Sequence, residues 1–127
     1  MTATTLTRAT EVATTIRDQI GTMALMSLGA HLLMNTTQDK GGLTFTALIL
    51  PFKSRGGRGT RPKKMRVTIT LNGQDLYDVS VIHIVRLDVV EHYATTDVPA
   101  ENLARLMLAL DYDGPQVLNP RLWGVQP

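Results

Sequence analysis

The chain has 127 residues, of which 43% are hydrophobic and 19% charged, a composition typical of one globular domain and not of a disordered protein. It contains no cysteine, which excludes disulfides and thiolate metal sites. The net charge is +2 at neutral pH, and no apolar run approaches the ~20 residues that a membrane-spanning helix needs. Since the N-terminus also lacks a signal-peptide pattern, we expect a cytoplasmic protein with no membrane partner.

From the N-terminus, residues 1–7 are polar and rich in threonine, and we expect a flexible arm there. A helical period begins near Arg8, and its apolar stripe comprises Val12, Ile16, Ile20 and Met23. Gly21 is expected to divide this helix, and Gly29 is expected to end it. An N-terminal helix in two pieces follows from this pattern.

Two apolar runs come next, over residues 30–34 and 43–52, with a polar, glycine-containing stretch between them. They predict a first hairpin. Pro51 is expected to end its second strand, because proline has no N–H to donate to a ladder.

The basic residues are concentrated in the segment that follows. Seven of the thirteen lysines and arginines lie in residues 53–66 with no acid among them: Lys53, Arg55, Arg58, Arg61, Lys63, Lys64 and Arg66. The remaining chain has six basic and eleven acidic residues. The sequence therefore predicts an acidic body that carries one cationic stretch, the basic segment (residues 53–66).

The clearest pattern of the chain runs from Met65 to Val90. Val67, Ile69 and Leu71 alternate with polar residues, as in a half-buried strand. A loop over residues 72–76, opened by the positive-φ-tolerant pair Asn72-Gly73, would pair these three side chains with Val81, Val79 and Tyr77 respectively. Residues 81–85 are apolar on both faces, which predicts a central strand.

The C-terminal part is predicted to hold a further strand over 86–93 and then a helix over Pro99–Leu110. Asp97 is the expected N-cap of this helix. The buried stripe of the helix is expected to comprise Leu103, Leu106, Met107 and Leu110. Residues 111–127 read as an extended tail, and its Trp123 is expected to contact the body or a partner subunit.

These elements predict one α+β domain. An antiparallel sheet of about five strands carries the N-terminal and the C-terminal helix on one face, and residues 53–64 form an exposed basic loop between the two hairpins. Glycines 56, 57 and 59 lie in this loop, and nothing in it is expected to be buried.

Catalysis is not indicated by any motif. His31 is expected to be a hydrogen-bonded core or edge residue, and His83 a residue of the sheet. His92 follows Glu91, but a metal needs three or four converging ligands and no recognised spacing occurs. Neither a nucleophile elbow nor a phosphate-binding Walker loop is present. We therefore expect a protein without enzymatic activity, cofactor or metal.

Several strand and turn motifs resemble a group of small proteins of undefined function from phages and other mobile genetic elements. The resemblance covers about Ile16 to Leu110 and rests on Gly42-Leu43-Thr44-Phe45, on the strand Arg66–Leu71, and on Tyr77-Asp78-Val79 and Arg86-Leu87-Asp88-Val89. The group often has lysine after a Gly-Ala pair, where this chain has His31. The resemblance implies a phage or mobile-element setting, hence the cytoplasm of a host cell, and it transfers no site residues.

The basic segment carries the functional signal. Arginine forks suit phosphate, and glycine lets the backbone approach it, so all seven cations are candidate nucleic-acid or anion ligands. The alternative is a solvated linker, and few aromatics are present to stack on bases. The predicted function is binding of nucleic acid, or of a host complex that handles it. Two further hypotheses are a homo-oligomeric counter-defence protein that binds a host protein or a nucleotide, and a structural virion protein.

Overall fold

A computed structural model describes residues 3–37, 40–53 and 56–118, with side chains from Thr10 onward. Its helices and strands follow one another in the predicted order, and the α+β fold class is confirmed. The helices are α1 (Ala3–Ile20), α2 (Thr22–Ser27) and α3 (Leu103–Leu110), with a 3-10 turn over Ala100–Asn102 before α3. The strands are β1 (His31–Thr36), β2 (Gly42–Ile49), β3 (Lys63–Leu71), β4 (Tyr77–Val85) and β5 (Asp88–Val98).

The five strands form an antiparallel meander in the order β1-β2-β3-β4-β5. The predicted register of the hairpin between β3 and β4 is confirmed, since Val67, Ile69 and Leu71 pair with Val81, Val79 and Tyr77. Because the strands alternate in direction, β2 and β4 end where β3 and β5 begin. The basic segment connects β2 to β3 at this end of the sheet, which we call the cationic end.

Helices cover one face of the sheet and enclose the core. Alternate residues of the three inner strands point into it, namely Leu43, Phe45, Ala47, Ile49, Met65, Val67, Ile69, Tyr77, Val79 and Val81. The predicted stripe of α3 meets them and is fully buried. The other face of the sheet carries polar side chains, where the hydroxyls of Thr44 and Thr68 lie 3.2 Å apart. Strand alternation therefore leaves a polar, hydroxyl-bearing face on the side away from the core.

The N-terminal helix differs from the expectation at both ends. It begins at Ala3, so the predicted flexible arm is wrong for residues 3–7. Gly21 divides it as expected, with φ 87°, and Gly29 follows α2 with φ 62°. The break at Gly21 redirects the chain, so Met23 does not continue the buried stripe and is 84% exposed.

One turn prediction and one helix-cap prediction also need correction. The loop over residues 72–76 forms, and the side-chain oxygen of Asn72 accepts bonds from the N–H groups of Gln74 and Leu76 at 2.8 and 3.2 Å. The positive φ falls on Asp75, at 60°, and not on Gly73. Asp97 is no N-cap: it belongs to β5 with φ 58°, and its carboxylate accepts a 2.8 Å bond from the Asn72 amide.

Residues 83–90 form a two-stranded arm beyond the body of the sheet. β3 pairs with β4 only as far as Ile82, so residues 83–85 pair only with β5. Ile84 is consequently 69% exposed and Val85 43%, and the prediction of a central strand over 81–85 is wrong for residues 83–85, which have a neighbouring strand on one side only. Arg86 and Leu87 make the turn with φ values of 52° and 72°, a conformation that costs about 1–2 kcal/mol per non-glycine residue.

Candidate nucleic-acid interface

The first part of the basic segment folds as a small hairpin that continues from the end of β2. Phe52 and Arg58 form a bridge pair, the Lys53 N–H donates to the Gly57 carbonyl at 3.0 Å, and the Gly59 N–H donates to the Pro51 carbonyl at 2.8 Å. Gly57 has φ 72°, which a turn of this kind needs. These backbone bonds therefore hold residues 51–53 against residues 57–59.

Arg58 points inward and is only 7% exposed. Its guanidinium donates to three backbone carbonyls: Leu50 at 2.9 Å, Gln116 at 2.6 Å and Val117 at 2.7 Å. Burial lowers the pKa of Arg58, an effect that Tyr112 and Asp113 partly offset. The first part of the segment is thereby tied to the tail, which has no helix or strand over 111–118.

Aromatic rings complete the setting of this guanidinium. Its central carbon lies 4.6 Å from the centroid of the Phe52 ring, within the range of a cation–π contact. The imidazole of His92 stacks on the same ring at 5.1 Å, with an interplanar angle of 20°. His92 turns inward because it is the extra residue of a β-bulge, where Val81 pairs with Tyr93 and Ile82 with Glu91.

His92 is held neutral by these neighbours. Burial, then the charge of Arg58, then His83 lower the pKa of His92 from 6.5 to about 4. Its Nε2 and the Nε of Arg58 are buried without a hydrogen-bond partner in the described part of the chain. Arg58, Phe52 and His92 therefore form a cluster at the cationic end, which we call the arginine cluster; Arg58 and His92 are buried in it, and Phe52 is 39% exposed.

The expectation of a fully exposed loop over residues 53–64 is wrong at Arg58 and at the start of β3. Arg58 is buried because a planar fork can satisfy carbonyls from two segments at once. Lys63 and Lys64 belong to β3, where they pair with Ile49 and Leu48. Their side chains nevertheless stay exposed.

The other predicted ligands fall into three groups. Lys53 and Arg61 are exposed, like the two lysines of β3, and none of these four forms an ion pair within the described residues. Arg66 is half-buried on the polar face and donates to the Thr46 hydroxyl at 3.0 Å. Arg55 and the predicted interface residue Trp123 lie outside the described residues.

Acidic side chains collect at the opposite end of the sheet. Asp78 accepts a 2.9 Å bond from the Asn72 amide and a 3.2 Å bond from the N–H of Asp97. Asp75 pairs with Lys40 at 3.2 Å, the one ion pair of the described residues. The charge is only partly separated along the strands, because β5 begins at the cationic end with the exposed acids Asp88 and Glu91.

The remaining sequence candidates show no catalytic arrangement in the described part of the chain. His31 opens β1 and its Nδ1 lies 2.9 Å from the Gly29 carbonyl, a bonded edge histidine as predicted. No group of three or more histidine, aspartate or glutamate side chains in this part could hold a metal ion. None of its helices is both long enough and apolar enough to cross a membrane.

Comparison of the chain with protein-family models, with curated proteins and with solved structures finds no match. The function of the chain is therefore inferred from its own residues.

Three features of the cationic end could not be predicted from the sequence. Arg58 binds the backbone carbonyls of Gln116 and Val117, and since every residue has a carbonyl, the sequence does not single these two out. Phe52 stands beside the basic segment, but its contact with His92 depends on a bulge. The turn at Arg86-Leu87 lacks the Asn-Gly or Gly signal that usually marks a two-residue hairpin loop.

Replacing Arg58 by methionine should lower the free energy of unfolding by about 2–4 kcal/mol, because three backbone carbonyls lose the buried guanidinium that donates to them. Urea denaturation measures this change. Arg61→Met is the matched control, since that side chain is exposed, and it should change stability by no more than about 0.5 kcal/mol. Equal effects of the two substitutions would contradict the burial of Arg58.

Stability should fall as the pH drops from 6.5 to about 4, because the unfolded chain takes up a proton on His92 before the folded protein does. His92→Phe keeps a ring on Phe52 and removes this linkage. The difference in unfolding free energy between wild type and variant should change by at least about 1–2 kcal/mol across that interval. A His92 titration midpoint near 6.5 by NMR would refute this prediction.

Proposed function

We propose that this chain is a non-enzymatic protein that binds nucleic acid through phosphate contacts at the cationic end of its sheet. The observation that carries the proposal is the set of exposed cations without an acidic partner in the described residues, namely Lys53, Arg61, Lys63 and Lys64. Lysine and arginine side chains that neutralise phosphates release counterions, and this release drives binding without sequence preference.

The arginine cluster supports the proposal by fixing the backbone that carries these cations. Lys53 and Arg61 flank the small hairpin in which Arg58 is anchored, and two more cations stand on the first residues of β3. An anchored backbone loses less conformational entropy when its side chains contact a polyanion. The two exposed lysines of β3 lie on adjacent strand positions and thus on opposite faces of the sheet.

Phosphate contact and not base reading is the expected mode. The aromatic ring next to the segment, Phe52, already contacts Arg58 and His92, so it is not a free stacking platform. Arg66 and the threonine hydroxyls of the polar face are further donors beside β3. Such donors position a backbone without reporting its sequence.

The setting that we propose is a phage or mobile element acting inside a host cell, as the motif resemblance implies. The exposed apolar arm favours a second candidate function, the binding of a host protein by a homo-oligomer. Capture of a nucleotide beneath the basic segment has less support. Two pockets of the described part, between α1 and β1 and between α1 and α2, are lined by no residue of that segment.

Neutralising Arg61, Lys63 and Lys64 together by alanine should weaken binding to a random duplex and flatten its salt dependence. Each contact contributes about 0.9 to the slope of log K against log salt, so the slope should fall by about 2–3. Fluorescence anisotropy with a labelled duplex, recorded at salt concentrations from about 50 to about 200 mM, measures this slope.

Lys40→Ala is the matched control, because Lys40 is an exposed lysine at the opposite end and is paired with Asp75. It should leave the slope unchanged. Two results would contradict the proposal. The first is wild-type protein that does not bind the duplex at about 50 mM salt. The second is a triple variant whose slope is unchanged.

A further inference from the structure

The tip of the arm is an exposed apolar knob between two opposite charges. Leu87 is 96% exposed and stands between Arg86 and Asp88. Its backbone and that of Arg86 hold positive φ angles, which natural sequences usually give to glycine or asparagine. Behind the tip, Val85 and Val89 are also exposed, so the arm offers apolar surface on both of its faces.

A pocket at the other edge of the sheet complements this tip. It lies between α1 and α2, beside Ala30 at the start of the edge strand β1, and has a volume of about 460 Å³. That volume is in the range of about 300–1,000 Å³ in which proteins hold ligands. Its apolar lining includes Leu25 and Met26, and its charged lining consists of Arg17 and Asp18.

The charges of the two surfaces match in kind and number. The tip carries one cation and one anion, Arg86 and Asp88, and the pocket carries the reverse pair, Asp18 and Arg17. None of these four side chains forms an ion pair among the residues that the structure describes. Opposite charges in this arrangement would orient an incoming tip and disfavour a wrong one.

We propose that the partner of the arm is a second copy of this chain, with Leu87 of one copy seated in the α1–α2 pocket of the next. Arg86 then lies against Asp18 of the neighbouring copy, and Asp88 against its Arg17. The exposed Met26 at the rim of the pocket adapts its shape to the leucine.

The contact is heterologous, because the knob and the pocket are different surfaces at opposite edges of the same sheet. Each copy can thus give its tip to one neighbour and its pocket to another, which builds a ring or a filament and not a closed two-fold dimer. One knob in one pocket buries less than the ~800 Å² per partner of a standard interface. We therefore expect weak, concentration-dependent association.

Leu87→Gly tests the knob without endangering the fold. Glycine relaxes the positive φ of the turn while it removes the side chain, so the melting temperature should stay unchanged or rise. Analytical ultracentrifugation of nuclease-treated protein should show assemblies of the wild type and monomers of this variant. Leu32→Gly is the matched control, since Leu32 is 67% exposed, has φ 55° and does not line the pocket; it should associate like the wild type.

Mixing two inactive variants separates this contact from other modes of association. Leu87→Gly keeps its pocket and Met26→Asp keeps its tip, so each alone should be monomeric and an equimolar mixture should form 1:1 dimers that grow no further. A charge reversal gives a second readout. Arg86→Asp and Asp18→Arg should each reduce association at least tenfold, and the two combined in one chain should restore it.

Three results would overturn the proposal. The first is wild-type protein that remains monomeric at the highest soluble concentration. The second is Leu87→Gly protein that associates as strongly as the wild type. The third is an equimolar mixture of the two variants without 1:1 dimers, or Met26→Asp protein that associates on its own, the outcome that a tip-to-tip contact predicts. All three are independent of nucleic-acid binding.

Discussion

A buried guanidinium joins three separate parts of this chain. Arg58 binds the carbonyl that follows β2 and two carbonyls of the C-terminal tail, and it lies over the ring of Phe52. The tail has no helix or strand over residues 111–118, so two of its carbonyls are bonded by the guanidinium of Arg58 and not by backbone N–H groups of a helix or sheet. The positions of Lys53 and Arg61 on either side of the small hairpin therefore depend on one inward cation, whereas the β2–β3 ladder positions Lys63 and Lys64.

The features that the sequence predicts correctly are those that follow from the local spacing of apolar residues. The hairpin register follows from alternation in β3 and the loop at Asn72, and the buried face of α3 follows from leucines at helical spacing. Arg58 could not be singled out among seven basic residues, because its partners lie 58 and 59 positions away and are backbone atoms. The arm has the composition of a buried strand, and only the end of β3 pairing at Ile82 leaves it exposed.

The cationic end of the sheet carries two different surfaces. The exposed lysines and Arg61 suit a polyanion, whereas the arm beside them is apolar and suits a protein surface. An assembly built through the arm would repeat the cations on every copy. Repetition of weak phosphate contacts raises the affinity for a long nucleic acid without a new kind of contact. Nucleic-acid binding and assembly through the arm would use different residues, so both can occur in the same protein.

NMR of the arginine side chains tests the division between inward and outward cations most directly. The structure predicts that the guanidinium protons of Arg58 exchange slowly with water and that its signals do not move when a short duplex is added, while those of Arg61 exchange rapidly and shift. Rapid exchange at Arg58, together with a shift of its signals on addition of the duplex, would contradict the internal role of this residue.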